Sequence, residues 1–238
     1  MLVEAAHVRA GDTVLEIGPG TGALTKELLA TGATVIAIEK DEGLVARLHE
    51  TFADELANGK LILVSQDVRD FDPSALGAYS LAANIPYYIT GEIMRQFLTA
   101  KNQPRTMALL VQKEVAQRIV STTESILSIS VKVYGVPSIA AKVSRGNFSP
   151  PPSVDSAILV VRNISRDFFA DLDEGLFFKV VRAGFSSKRK FLANNLSTLF
   201  KKEKVLAAFA VNELDEKIRA EQVQLEKWKK LALFLGRA

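Results

Sequence analysis

The sequence predicts an α/β fold, a helix-covered open sheet, followed by a small all-α domain. Three observations predict it. Short β-branched apolar runs alternate with helical periods over the first two thirds of the chain. A glycine cluster, Glu16-Ile17-Gly18-Pro19-Gly20-Thr21-Gly22, separates the first run from the first helix. Beyond about residue 165 the strand signals give way to helical spacing.

Taken in order, residues 13–17 (TVLEI) form the first strand. Residues 21–30 follow as a helix with Ala23, Leu24, Leu28 and Leu29 on one face and Thr21 as its cap. Thr34 to Ile38 is the second strand and ends at Glu39. Residues 41–51 are helical with Asp41 near the N-cap, and Leu61 to Val64 leads into Gln66-Asp67. Ser80 to Ala83 ends at Asn84, and a helix runs from about Thr90 to Leu98. Then come an apolar run 106–111, a polar helix 113–121, a mixed segment 125–135 and two strand-like runs, 137–143 and 156–162. Strands alternating with helices imply right-handed crossovers and a parallel sheet covered on both faces. The runs 175–185, 188–200, 202–210 and 224–235 are helical, with Ser165–Asp173 as a polar linker. The expected division is therefore 1–165 and 166–238.

Composition removes several classes of chemistry. With no cysteine, the 238 residues hold neither disulfides nor thiolate metal sites. Only His7 and His49 are available, far apart, so a histidine zinc site or a Ser-His-Asp triad is not expected, and no metal is. No run approaches the ~18 apolar residues of a membrane span, and the first residues have no basic leader. A cytoplasmic chain with no membrane partner is the expectation. Charge is unevenly spread. Residues 1–83 carry six Lys/Arg against thirteen Asp/Glu, a net −7, whereas 84–238 carry 24 against 14, a net +10. A basic second half suits a polyanionic partner, although solvated lysines alone would give the same count.

The candidate site begins at the glycines. Gly18 and Gly20 let the backbone turn sharply and approach a ligand, a pattern that fits NAD enzymes, methyltransferases or a plain tight turn. Two acids sharpen it. Glu39, at the end of the second strand, can accept both hydroxyls of a ribose. Asp67, after the third, can accept from an adenine amine and leave the Val68 N–H facing a ring nitrogen. Together they describe an adenosine-containing cofactor, and the E-x-G-x-G-x-G form with Glu16 favours S-adenosylmethionine over NAD.

The fourth strand ends in Asn84-Ile85-Pro86-Tyr87-Tyr88. An exocyclic adenine nitrogen is a poor nucleophile because its lone pair is delocalised into the ring. The Asn84 side-chain oxygen and the Ile85 carbonyl can accept its two hydrogens and release that lone pair. Pro86 fixes the turn, and Tyr87 offers a ring for the base. Phe148, opening the stiff run Asn147-Phe148-Ser149-Pro150-Pro151-Pro152, is the candidate for the opposite face of that base.

E-I-G-P-G-T-G, N-I-P-Y and N-F-x-P-P-P-x-V-D-S-A, in this order, resemble the KsgA/RsmA family of ribosomal RNA adenine dimethyltransferases over residues 2 to 200. The stretch Phe185-Ser186-Ser187-Lys188-Arg189-Lys190 with Asn194-Asn195-Leu196 is similar to that family's C-terminal domain, and less like the macrolide-resistance methyltransferases that share the first two motifs. The resemblance implies a Rossmann-like, S-adenosylmethionine-dependent methyltransferase sheet with a small C-terminal all-α domain. It implies dimethylation of N6 on two adjacent adenosines near the 3′ end of small-subunit rRNA, in ribosome biogenesis. Gly18, Gly20, Glu39, Asp67, Val68 and Asn84 would then contact the cofactor, while Asn84, Tyr87 and Phe148 handle the base. The expected partner is small-subunit rRNA in a pre-30S-type particle, met by a monomer.

Three departures from the family pattern stand out. The family usually carries an N-terminal Gln-Asn/His-Phe-Leu segment that closes over the cofactor, and this sequence starts inside the following helix, so the expectation is either a truncated sequence or weaker cofactor binding. The stretch between Ile119 and Ile126 is short, and Tyr88 replaces a frequent asparagine. Residues 179–204 hold eight Lys/Arg, Lys188, Arg189 and Lys190 among them, against one acid, Glu203, and would face RNA. Rival expectations are a ribosome-assembly factor without methyl transfer, a large-subunit methyltransferase and an NAD-dependent oxidoreductase.

Overall fold

A computed structural model describes residues 1–148 and 151–237, except for the side chain of Tyr87. The chain divides into two compact units, Met1–Gln117 with Gly135–Ile164, and Arg118–Tyr134 with Ser165–Ala238. The second unit is discontinuous in sequence: it takes in Arg118–Tyr134 as well as the stretch from Ser165 onward. The contiguous 1–165 and 166–238 division is corrected to that extent.

The first unit holds a seven-stranded sheet: β1 (Thr13–Ile17), β2 (Thr34–Glu39), β3 (Leu61–Ser65), β4 (Ser80–Asn84), β5 (Met107–Gln112), β6 (Val136–Val143) and β7 (Ser156–Arg162), in the order β3-β2-β1-β4-β5-β7-β6. Helices α1 (Leu2–Ala6), α2 (Ala23–Ala30), α3 (Glu42–Thr51), α4 (Ala53–Ala57) and α5 (Thr90–Thr99) accompany it, and α6 (Lys113–Val120) follows β5. Strands β1 to β5 pair in parallel, with Leu15 opposite Ile36 on one side and Leu81 on the other. Residues of β1, β2, β4 and β5 are buried almost without alternation because both faces are covered, whereas the edge strand β3 buries Leu61 and leaves Ile62 exposed. Val14, Val35, Ala37 and Ala82 join Leu28, Leu48 and Phe52 in one cluster, while Ala5 and Ala6 pack with Leu110, Ile158 and Val160 in another.

The sheet is mixed rather than parallel throughout: β7 runs antiparallel to β5 and β6. The reason lies in the connection. The described residues between β6 and β7 form no long helix to carry the chain back across the sheet, and a parallel neighbour requires such a crossover. Asp41 caps α3, accepting from the Leu44 N–H at 2.9 Å, whereas α2 starts at Gly22 with no side-chain cap, so Thr21 does not serve.

The second unit contains α7 (Ile126–Lys132), α8 (Glu174–Gly184), α9 (Leu192–Leu196), α10 (Lys202–Val211) and α11 (Leu225–Gly236). Ser125 and Ser128 form a reciprocal capping box on α7. Buried Glu124 accepts from Ser128 Oγ and Lys132 Nζ at 2.7 and 2.6 Å. The stretch expected as a linker packs its aromatic rings, half-buried, against this unit instead. Phe168 and Phe169 lie 5.2 and 5.7 Å from the Phe177 ring, and Phe169 is 5.5 Å from that of Tyr134, because aromatic area outweighs the polar residues around it. The helical run 188–200 also shrinks to five residues. Ser197 and Thr198 hydroxyls back-bond to Ala193 and Asn195 carbonyls at 2.8 and 2.7 Å, which competes with helix propagation.

Candidate active site

The C-terminal ends of β1, β2, β3 and β4 open onto one cavity of about 330 Å³, within the usual range for a small-molecule site. Gly18, Glu39, Asp67, Val68 and Asn84 all line it, joined by residues from four separate strand ends. A parallel sheet places ligands there because every strand exits at the same edge.

The glycine loop leaves β1 with Gly18 at φ 64° and Gly20 at φ 59°, conformations that exact little from glycine alone. A Cβ built on either would meet nothing within 4 Å, so both border open space. Gly22 differs: its Cβ would fall 2.4 Å from the Phe52 ring. Gly18 thus opens onto the cavity, Gly20 borders open space without being among the cavity's lining residues, and Gly22 serves packing.

Glu39 is buried, and its carboxylate is held by backbone donors. Lys40 and Asp41 N–H groups donate to Oε1 at 2.9 and 3.0 Å, and Gly20 N–H donates to Oε2 at 3.3 Å. Of about four acceptor positions on a carboxylate, one remains, at Oε2. That leaves room for one further donor at Oε2, and a second would displace Gly20. Asp67 is gripped by Arg69, whose Nε and backbone N–H donate to Oδ1 at 3.0 Å and whose Nη2 donates to Oδ2 at 2.6 Å. That guanidinium, then Lys40 at 3.9 Å, holds the carboxyl far below the usual carboxylate range. An acid so stabilised as the anion accepts hydrogen bonds and makes a poor base. Arg69 was not singled out in the sequence, although its position two residues after a strand-terminal acid is the signal that points to it.

Val68 is buried, and its carbonyl accepts from Gln96 Nε2 at 2.8 Å, which anchors the turn after Asp67 to α5. Asn84 ends β4 opposite Leu110, is exposed, and lines the cavity with buried Ile85 and exposed Pro86 and Tyr88. Among the described residues nothing holds its side-chain amide. The Ile89 N–H donates to the Pro86 carbonyl at 3.2 Å, closing the turn that carries the backbone of Tyr87. The Tyr87 side chain, like Ser149 and Pro150, lies outside the described residues. Tyr88, a less prominent residue in the sequence, is 80% exposed and lines the cavity. Phe148 does not line it. Its ring packs, half-buried, on the cluster of Leu110, Val143 and Ile158, where burial of its apolar area places it.

Beneath the loop lies Glu16, 1% exposed, with neither carboxylate oxygen in a hydrogen bond of normal geometry among the described residues. Burial pushes its pKa from 4.5 to about 7, and the nearby Thr25 hydroxyl and N–H offset only part of that. A raised carboxyl pKa favours the folded state below 4.5, and this advantage is lost as pH climbs through 7, about 3 kcal/mol in all. Glu16→Gln is therefore expected to flatten the dependence of the melting temperature on pH between 5 and 8, gaining most over the parent at pH 8. Parallel melting curves for the two proteins across that range would contradict a buried, ionising Glu16.

The whole described chain carries this signature. The family model for ribosomal RNA adenine dimethylase matches residues 1–236. The chain belongs to this family. The ribosomal RNA small subunit methyltransferase A of Dehalococcoides mccartyi strain CBDB1 is 41% identical, the match covering 98% of this chain and 81% of that protein. The enzyme of the same name from Moorella thermoacetica is 38% identical, with 95% and 84% covered. Among solved structures, the 23S rRNA methyltransferase ErmE superposes with a TM-score of 0.77 at 25% identity, covering 99% of this chain and 96% of that one. A dimethyladenosine transferase from Plasmodium falciparum shares the fold, with a TM-score of 0.79, 24% identity and 97% and 92% covered. The family's cofactor, S-adenosylmethionine, fits what is present: an open glycine cradle, an acceptor on Glu39, an acceptor on Asp67 and apolar walls from Ile38, Leu44 and Val68.

Lys188, Arg189 and Lys190 lie in the second unit, exposed in the turn between α8 and α9 rather than on a helix. Buried Asn195 holds that turn, donating from Nδ2 to the Gly184 and Ser187 carbonyls at 2.6 and 2.9 Å. The among-family likeness noted at Asn194-Asn195-Leu196 thus has a physical basis: one amide satisfies the carbonyl left over at the end of α8.

Proposed function

We propose that this chain transfers methyl groups from S-adenosylmethionine to N6 of two adjacent adenosines near the 3′ end of small-subunit rRNA. The observation that carries this is that Asn84 shares one cavity with Gly18, Glu39 and Asp67. The cofactor, when bound, supplies a methyl group activated on a sulfonium. Everything else is alignment and exclusion by the chain's own residues. The cradle of Gly18 and Gly20 admits the ligand, Glu39 accepts a ribose hydroxyl and Asp67 accepts from the adenine amine. Asn84 and the Ile85 carbonyl take the hydrogens of the target amine, and Pro86 keeps the turn in register. The Tyr87 ring is assigned to the face of the target base, and Phe148 is better suited to anchoring its loop than to stacking.

No residue in the cavity is assigned as a strong base. Asp67 is tied to Arg69, and Glu39 spends most of its acceptor capacity on backbone N–H groups. The amine is made nucleophilic by geometry, and its proton leaves after transfer. The exposed cations Lys188, Arg189 and Lys190 are assigned to rRNA phosphates. No helix among the described residues is long and apolar enough to cross a membrane. The chain is assigned, as part of this proposal, to pre-30S-type particles in the cytoplasm, acting as a monomer.

The test is incubation with labelled S-adenosylmethionine and under-methylated small ribosomal subunits, followed by nucleoside analysis. N6,N6-dimethyladenosine is the expected product. Label confined to large-subunit RNA, or binding to the particle without any transfer, would overturn the assignment in favour of a macrolide-resistance type enzyme or an assembly factor.

A further inference from the structure

A second cavity, about 460 Å³, opens in the same unit between the N-terminal part of α6, the turn at Arg145 and the residues that enter β7. Its polar lining is Lys113, Glu114, Gln117, Arg145, Ser153 and Asp155. The ends of β5 and β6 and the start of β7 all reach the sheet edge at which Asn84 ends β4. At the spacing of neighbouring strands, the cavity's walls stand about 5 to 15 Å from the strand of Asn84, measured across the sheet.

Its walls are braced. The Asp155 carbonyl accepts from the Lys113 N–H at 3.0 Å, and Asp155 Oδ1 accepts from the Arg145 N–H at 3.1 Å. Lys113 Nζ lies 4.0 Å from Asp155 Oδ2, while no ion pair engages the Arg145 guanidinium among the described residues. Two cations face two carboxylates, so the cavity has no net formal charge. A free anion would meet Glu114 and Asp155, and a metal cation would meet Lys113 and Arg145. Gln117 and Ser153 add both donors and acceptors. A ligand suited to such a wall is neutral and polar at its head, with donors and acceptors on one edge, and carries an anionic tether.

We infer that this cavity receives the nucleotide next to the adenosine being methylated, its base edge meeting Glu114 and Gln117 and its phosphodiester meeting Arg145. This rests on the functional assignment above and deepens it. A polymeric substrate held at two neighbouring positions is aligned by both. A chain that modifies adjacent adenosines needs a place for one while it works on the other.

The test uses the full chain with S-adenosylhomocysteine and an RNA hairpin carrying two adjacent adenosines, and hairpins with an abasic residue on either side of the target. Loss of the neighbouring base on one side is expected to weaken binding about tenfold, the size of one good base contact. In a Glu114→Gln, Gln117→Ala, Arg145→Gln variant the same gap is expected to cost less than about twofold, with cofactor affinity unchanged as the check on folding. A wild-type chain that ignores both gaps or fails to bind the hairpin, or a variant that keeps the full penalty, overturns the inference. If subunits are still methylated by the wild-type chain in those cases, only the second cavity is misassigned. Absence of methyl transfer to any adenosine would remove the functional assignment and the inference with it.

Discussion

Asn84→Ala is expected to lower methyl transfer by about 10²–10³-fold, the usual loss when one group aimed at a reacting centre is removed. Cofactor affinity should change far less, because the cradle of Gly18 and Gly20 and the acids Glu39 and Asp67 remain. Affinity for RNA should persist as well, since the exposed cations of the second unit are untouched. Asn84 is suited to this contrast. It sits at the end of β4, it is exposed, and no partner among the described residues depends on its amide. Truncation therefore leaves no buried group unpaired. The measurement is single-turnover transfer with labelled cofactor, alongside calorimetric titration of that cofactor. Retained transfer would mean that the amine is activated by other groups.

Gly22→Ala is expected to destabilise the first unit by about 3 kcal/mol. Part is the cost of a left-handed backbone for alanine, and part is overpacking. Gly22 has φ 85°, and a Cβ there would stand 2.4 Å from Phe52 Cε2 and 3.0 Å from Leu48 Cδ2. Those two side chains are buried in the cluster under α2 and β2, so neither can move aside freely. Thermal unfolding should fall by about 10 °C if the domain follows ordinary scaling. Gly18→Ala provides the contrast. Its φ of 64° also strains alanine, yet the added methyl meets open space. That variant should lose only the backbone-strain part of the stability, about 1 kcal/mol, and much cofactor affinity. If both substitutions reduced stability alike, the separation of the loop into a ligand cradle and a packing position would fail.

Much of the cofactor half was legible because its residues are tied to strand ends. An apolar run that stops at Glu39, Asp67 or Asn84 marks both the strand and the residue exposed at its edge. Parallel strands then bring those edges together with no further information. The partners of these residues were not legible in the same way. Arg69 is an ordinary exposed arginine until the turn after β3 folds its guanidinium back on Asp67. The capacity of Glu39 also depends on where the Gly20, Lys40 and Asp41 N–H groups point. Phe148 illustrates the opposite error. An aromatic residue beside a proline-rich run reads equally well as a stacking ring or as an anchor, and neighbouring apolar area decides between them.

By itself, the amino-acid sequence determined the order of strands and helices, the glycine turn, the strand-terminal acids and the N-I-P-Y turn, all of which follow from local periodicity and backbone preference. Tertiary structure alone decided that β7 inserts antiparallel between β5 and β6, that Arg118–Tyr134 joins the helical unit, and that Phe168 and Phe169 pack their rings against Phe177. Those outcomes turn on which distant apolar surfaces bury each other and on how long a connection must be to cross a sheet. Neither quantity is carried by any single stretch of chain.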